Sequence, residues 1–315
     1  MRTLGERYEL EQRIGIGGMS EVWRAHDVVL DRTVAVKLIS PELDGEETSV
    51  KRIRAEARSA ARLVHPNVAS VHDFGTSTTF PGREVPYIVM ELAEGETLAV
   101  HLRNGPLDWR IAVRVCAEVS AALAAAHAHG IVHRDVKPAN VILTPAGVKV
   151  LDFGIATPAG TPDHTPAGIV VGTPAYLAPE QLDQQPATPA ADMYALGVLL
   201  YYCLTGRLPY NATSTTQLLG ERKRQAPEPL PEIDGLPPEV ADLCRRCLDD
   251  DPERRPTSLM AALLLAEAVD ARVYVPMLSA TPRPRTTQVS PWTDRAAVES
   301  TEAMAVDGHP TEWAC

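Results

Sequence analysis

This chain of 315 residues is short of several things, and each shortage narrows what it can do. Basic charge is in deficit: 30 Lys and Arg stand against 41 Asp and Glu, a formal net charge of −11. A broad basic face for nucleic acid or anionic lipid is therefore not expected, and the acidity mainly serves solubility. Lysine is scarce, with Lys37, Lys51, Lys137, Lys149 and Lys223 as the full set, so a lysine inside a motif is informative. The five cysteines, at 116, 203, 244, 247 and 315, form no disulfide framework. Cys244 and Cys247 make a C-x-x-C, but no second ligand pair or βαβ context accompanies it, and it reads as structural. A reducing cytoplasm is the simpler expectation. The N-terminal stretch MRTLGERYELEQRIG lacks the apolar run of a signal peptide. The most apolar windows, Ala195–Leu204 and Leu259–Ala268, are too short to span a bilayer, so no membrane anchor is expected. No internal repeat is apparent.

What is present divides the chain. With 45% hydrophobic and 23% charged residues there is ample material for buried cores. Residues 8–39 alternate, break at glycines and resume in the β-rich run TVAVKLI, which predicts strands joined by a turn. Residues 49–64 follow helical spacing, with Val50, Ile53, Ala57, Ala60, Ala61 and Val64 on one apolar stripe. YIVME at 87–91 reads as a strand, followed by the acidic loop ELAEGETL. From about 97 the pattern turns helical: Ile111–His129 ending at Gly130, then two short strands VILT and VKVLDF. Ala191–Thr205 follows, stopped by Gly206, with further helices near 214–224, 237–248 and 257–270. The expectation is an α+β chain of two lobes: an extension at 1–7, a β-rich lobe at about 8–92 and a helical lobe at about 93–270. Residues 271–315, rich in Thr, Pro and Ser, read as a flexible tail.

Three segments carry chemistry. In Ile14–Val22, IGIGGMSEV, glycines 15, 17 and 18 let the backbone approach a polyanion and turn amide N–H groups toward phosphate oxygens. A dinucleotide-binding loop would open a helix, and a P-loop would carry G-K-[S/T]; this run leads into another strand and has neither. Strand alternation puts Ala35 and Lys37 of VAVK on one face: the small residue leaves room for a flat base, while the ammonium reaches phosphates. A buried ammonium needs a counter-charge, and Glu56 on the striped helix is the best-placed candidate, with Arg54 and Arg58 then facing water. The bland alternative for Lys37 is a solvated strand lysine. The third segment, HRDVKPAN at 133–140 with DFG at 152–154, sets a carboxylate, a cation and an amide within six residues, beside a second carboxylate. Asp135 can accept the proton of an attacking hydroxyl, Lys137 can neutralise the γ-phosphate, and Asn140 and Asp152 are hard oxygen donors suited to magnesium.

With these motifs in this order, followed by A-P-E at 178–180, the chain resembles the eukaryotic-type protein kinase superfamily over roughly residues 8–270. The resemblance implies a two-lobed kinase fold. It also implies transfer of the γ-phosphoryl group of ATP, with Mg2+ (Mn2+ can substitute), to hydroxyls of protein substrates. It makes Ile14, Gly15, Ile16, Gly17, Gly18, Met19, Ser20, Glu21 and Val22 the loop over the nucleotide, with Ser20 where a third glycine would stand. Met90 becomes the gatekeeper, Glu91 and Ala93 offer backbone groups to adenine, and Ile14, Val22, Ala35 and Ile142 sandwich the base. Asp192 is expected to brace the catalytic loop, Arg255 to pair with Glu180, and Thr173 to bridge Asp135 and Lys137. Lys137 and the wording around Thr173 resemble serine/threonine kinases, and GGMSEV, HPNV and LAPEQ resemble the bacterial eukaryotic-like branch.

Two other readings compete. A kinase fold without catalysis would serve as a nucleotide-gated interaction module, but it usually loses one of Lys37, Asp135, Asn140 or Asp152, and all four are here. A small-molecule phosphotransferase would lack the long segment ending in A-P-E. For regulation, Arg134 awaits an acidic group, and Thr165, with Thr161 second, is expected to be autophosphorylated and to dock on it. Proteins with phosphothreonine-binding domains, recruited through tail residues such as Thr286, Thr287 and Ser290, and a homodimer through the small lobe are further partner expectations. The localisation expected is cytoplasmic.

Overall fold

The computed structural model describes residues 2–17, 20–39, 53–54, 57–58, 60–80, 83–153, 174–183, 185–210, 215–222 and 225–276. Residues up to Pro276 form one compact unit. Its first part is a six-stranded antiparallel sheet in the order β1-β2-β3-β4-β6-β5. The strands are β1 (Arg2–Leu4), β2 (Tyr8–Ile16), β3 (Ser20–Asp27), β4 (Arg32–Ile39), β5 (Val71–Phe80) and β6 (Arg83–Glu91). Alternation along β4 sorts its side chains. Val34, Val36 and Leu38 enter one core with Leu4, Tyr8 and Tyr87, while Ala35 joins Ile53, Ala57, Ile88 and Met90 on the opposite face.

Of residues 1–7, read from the sequence as an extension, Arg2–Leu4 join this sheet. β1 pairs with β2, Leu4 is buried, and Arg7 grips the buried Asp27 through two bonds of 2.7 and 2.8 Å. β5 was not anticipated, because VHDFGTSTTF is polar and carries Gly75. That glycine is needed: a Cβ there would collide with the Tyr87 ring. The apolar stripe of 49–64 holds for the described residues Ile53, Ala57 and Ala60, with Arg54 and Arg58 exposed. It fails at its end, where Ala61 and Val64 face solvent and Leu63 is the buried residue, because the helix stops and the chain turns at 61–62.

The second part is helical with a small sheet, β7 (Glu96–Thr97), β8 (Val141–Thr144) and β9 (Gly147–Val150). Its helices are α1 (Leu98–His101), α2 (Trp109–Ala128), α3 (Pro179–Leu182), α4 (Pro189–Thr205), α5 (Thr215–Arg222), α6 (Pro238–Cys247) and α7 (Ser258–Ala268). α2 is capped by the Asp108 carboxylate, which accepts from the Arg110 N–H, and Gly130 follows its end at φ +70°. α4 opens on Pro189 and stops at Gly206 in the left-handed region. Helices α2, α4, α6 and α7 pack around one large core. By length and composition α2 could cross a membrane, a window the sequence reading passed over, yet 78% of it is buried in this lobe. The C-x-x-C is packing: Cys247 Cβ lies where a Cβ on Gly197 would sit, and the Cys244 thiol meets the Gly197 carbonyl. Burial pushes the Cys244 thiol up to about 12, which leaves it inert. The structured chain also runs past 270, since the Tyr274 carbonyl meets His65 Nε2 at 2.9 Å. Residues 277–315, including the tail threonines, lie outside the described residues.

Candidate active site

The cleft lies where the β4–β6 face of the first sheet meets β8, β9 and the loop before them. Ala35 stands opposite Met90, and Lys37 opposite Val22 on the other neighbour, so a small side chain and an ammonium stand two residues apart on one strand. Val22 packs on the Ala35 cluster; Ile14 and Ile16 remain exposed. The glycine hairpin is closed by the Gly17 N–H donating to the Ser20 carbonyl at 2.7 Å; Gly18 and Met19 lie outside the described residues. Glu21 has both carboxylate oxygens engaged within the sheet. It accepts from Arg13 and from the Trp23 indole, both at 3.1 Å, and so stiffens the hairpin from outside. Glu91 ends β6 with its N–H donated to the Ser70 carbonyl, which narrows any base contact there to its own carbonyl. Ala93 and Ile142 are half-buried beside it. Between them Gly95 must lack a side chain, because a Cβ would strike the Leu143 carbonyl.

Lys37 Nζ meets Asp152 Oδ1 at 2.9 Å. Among the described residues Asp152 is therefore its counter-charge; Glu56, the candidate named from sequence, lies outside them. Asp152 and Phe153 line one cleft with Met90, Val68 and Val71, so Met90, the gatekeeper expected from the resemblance, shares this cleft with Asp152.

The catalytic loop hangs from α4. Asp192, 1% exposed, accepts from the N–H groups of His133 and Arg134, each at 2.8 Å. Its Oδ2 also meets His127 Nε2 at 2.8 Å, and His127 Nδ1 meets the Ser258 hydroxyl at 2.9 Å. Burial pushes the Asp192 carboxyl up, but the His127 hydrogen bond, the nearby histidine charges and the His133 N–H outweigh it and hold the carboxyl below its usual range. His133 itself reaches the Leu151 carbonyl at 2.8 Å and stacks edge-on against Phe153. Arg134 and Asp152 both have positive φ, at 70° and 59°. Non-glycine residues held there cost on the order of 1–3 kcal/mol each, so the surrounding bonds impose this conformation.

Within the loop, Lys137 Nζ lies 2.6 Å from Asp135 Oδ2, and Asn140 Nδ2 donates to the Asp135 carbonyl at 2.7 Å and to Oδ2 at 3.0 Å. Three of the named residues thus meet at one carboxylate. Glu180 and Arg255 form a fork of 2.7 and 2.8 Å, with Arg255 also donating to the carbonyls of Ala190, Asp249 and Asp250. Thr161, Thr165 and Thr173 lie outside the described residues.

Could this donor set hold a metal? Both Asn140 bonds use Nδ2, which leaves Oδ1 to face a cation, and Asp152 has Oδ2 beyond the oxygen paired with Lys37. No cluster of three acidic, histidine or cysteine ligands exists among the described residues. One amide and one carboxylate fit Mg2+, which keeps waters and borrows phosphate oxygens instead of demanding a full protein cage. Sequence reasoning missed His127, Ser258, Gly95 and Lys149. A signal existed for His127, a polar residue inside an alanine run, and for Lys149 in the rarity of lysine.

A family model described as "Protein kinase domain" matches residues 8–268. Serine/threonine-protein kinase PknA of Mycobacterium tuberculosis is 41% identical over 284 residues, covering 90% of this chain and 65% of that protein. PknL of the same organism is 37% identical over 276 residues, covering 87% of this chain and 68% of that protein. Serine/threonine-protein kinase PrkC of Bacillus subtilis is 36% identical over 257 residues, covering 81% and 39%. The chain spans 65% of the length of the first of these relatives. Similar in this way to named serine/threonine-protein kinases, and matched by the family model across both lobes, this chain belongs to the protein kinase domain family.

Proposed function

We propose that the protein transfers the γ-phosphoryl group of ATP to serine and threonine hydroxyls of proteins. The observation that carries this reading is the convergence of Lys137 and Asn140 on the Asp135 carboxylate, in a loop suspended from buried Asp192. Asp135 receives the proton of the incoming hydroxyl as its oxygen bonds to the γ-phosphorus and the bond to the β-phosphate oxygen breaks. Lys137, already within reach of Asp135, shifts its charge to the γ-phosphoryl oxygens, and Lys37 steadies the α- and β-phosphates. Asn140 and Asp152 would hold Mg2+, or Mn2+ in its place, and that ion supplies charge neutralisation on the phosphates. The glycine hairpin excludes water above, while Ala35, Val22 and Ile142 enclose the base.

The finer reading includes autophosphorylation on Thr165 and Thr161 with docking on Arg134, and capture of phosphothreonine-binding partners. It also places the protein in the cytoplasm, in bacterial signalling. A small-lobe homodimer is supported by Val28, Val29 and Leu30, three consecutive apolar residues exposed at the β3–β4 turn. The deciding experiment incubates the protein with labelled ATP, magnesium and a generic protein acceptor. Label should enter serine and threonine and vanish in Asp135→Asn; label that persists in that variant rejects the assignment. Mass spectrometry of the 157–171 peptide after such incubation checks the threonines, and an unmodified peptide from fully active enzyme rejects them.

A further inference from the structure

Of the five lysines, two serve the phosphates in the reading above and two, Lys51 and Lys223, lie outside the described residues. Lys149 is left without a task. It sits on β9 directly opposite Ile142 of β8, so the two side chains share one face of the small sheet, the face that would floor the base pocket. From there its ammonium meets Glu91 Oε1 at 2.6 Å and approaches the Val68 carbonyl at 3.5 Å. Glu91 is the last residue of β6 and the first of the connector between the lobes. Its other oxygen accepts from the Ser70 N–H at 3.2 Å.

The backbone around this pair is already fixed by other bonds. Ala69 donates to the Val150 carbonyl, Val150 to the Asn67 carbonyl, and the Asn67 amide to both the Val148 carbonyl and Glu118 Oε2. The ion pair is therefore not needed to attach residues 67–70 to the large lobe. What it adds is specific: it ties the connector's first residue to the strand beneath the base. The side chains of Lys149 and Glu91 are 19% and 30% exposed, so water screens the pair only in part, and a charge-assisted contact this short is stronger than a neutral one. A single ammonium can serve the Glu91 carboxylate and the Val68 carbonyl at once, whereas the planar guanidinium that this chain uses almost everywhere else would need more room.

We propose that Lys149 is a positioning residue for the nucleotide: its bond to Glu91 presets the connector so that the Glu91 carbonyl and Ala93 stand at the edge of the adenine before ATP arrives. This rests on the phosphotransferase reading. The adenine contacts then form without ordering the connector, and affinity gains what would have been spent on that ordering.

The test compares the wild-type chain with Lys149→Met, which keeps the apolar stem and removes the charge, and with Lys149→Arg. Calorimetry with ATP and magnesium should show Kd raised about threefold to tenfold in Lys149→Met, a fraction of what losing a direct charged hydrogen bond would cost. KM for ATP should rise in step, with kcat at saturating ATP kept within about twofold, since the reacting groups are untouched. Lys149→Arg should recover part of the loss. Adding Glu91→Gln to Lys149→Met should cost no more than Lys149→Met alone, because both remove the same bond. Unchanged Kd and KM in Lys149→Met overturn the proposal. So does an equal fall in kcat and thermal midpoint with KM constant, which would mark a structural strap. Wild-type protein that binds no magnesium-ATP at millimolar concentration is a different result, and it removes the phosphotransferase reading itself.

Discussion

The catalytic loop of the large lobe hangs from buried groups: Asp192 of α4 holds its backbone, His127 of α2 holds Asp192 in turn, and the Glu180–Arg255 fork anchors α3. Lys37 of the small lobe, by contrast, has among the described residues one ion pair, with Asp152 at 2.9 Å, between groups 13% and 30% exposed. Buried, multiply bonded groups resist rearrangement, because each broken bond leaves a polar atom unsatisfied. A single ion pair at the edge of water exchanges partners at little cost. Among the described residues, the large-lobe half of the cleft is thus held by buried bonds, whereas the hold on Lys37 is a partly exposed pair.

Substitutions can break this comparison at either end. On the large-lobe side, Asp135→Asn should lower kcat by about 10²–10⁴-fold, the usual worth of a positioned base, with the thermal midpoint nearly unchanged. A large drop in the midpoint would mean the residue carries the fold instead. Arg255→Ala should cost about 3–5 kcal/mol, since it strands the Glu180 carboxylate in the core. Denaturant titration reads this directly, and a loss under 1 kcal/mol would put the fork among weak surface pairs. Lys37→Met sharpens the contrast: activity should be lost while denaturant stability stays close to wild type, because its partner Asp152 remains reachable by water.

The pH response should be milder. The carboxyls of Asp192 and of Asp27, the latter held down first by its hydrogen bonds from Arg7, lie below their usual range in the folded protein. A depressed carboxyl contributes stability that is complete above its unfolded value of about 3.9 and drains away as pH falls through the folded value. Melting at pH 3 should therefore occur below that at pH 7, and Asp27→Asn should shrink the difference. The smallest effect concerns α4: Gly206, at φ +68°, should cost about 1 kcal/mol when changed to alanine, with activity retained.

Much of the cleft could be read from short motifs, because the groups proposed to react are neighbours in the chain. Asp135, Lys137 and Asn140 fall on one tight loop, so composition and spacing alone place them together. Lobe order was legible for a similar reason: strand alternation in β4 and the alanine-rich period of α2 are local patterns with one buried solution. The misreadings came where a neighbour distant in sequence decided the outcome. β5 went unread because its Gly75 makes sense only against the Tyr87 ring. The stripe at Ala61 and Val64 had the right period but no core to face once the chain turned.

By itself, then, the amino-acid order named the candidate reactive groups and determined their grouping into two lobes and most strand and helix periods, all of which depend on residues within a few positions of one another. Only the tertiary structure decided what holds those groups. His133 finds Asp192 59 positions away, Arg255 finds Glu180 75 positions away, and Lys149 finds Glu91 across the lobe connector. Such partners carry no local signature, because the entropy of closing loops that long is repaid by the core as a whole and not by the pair that meets there.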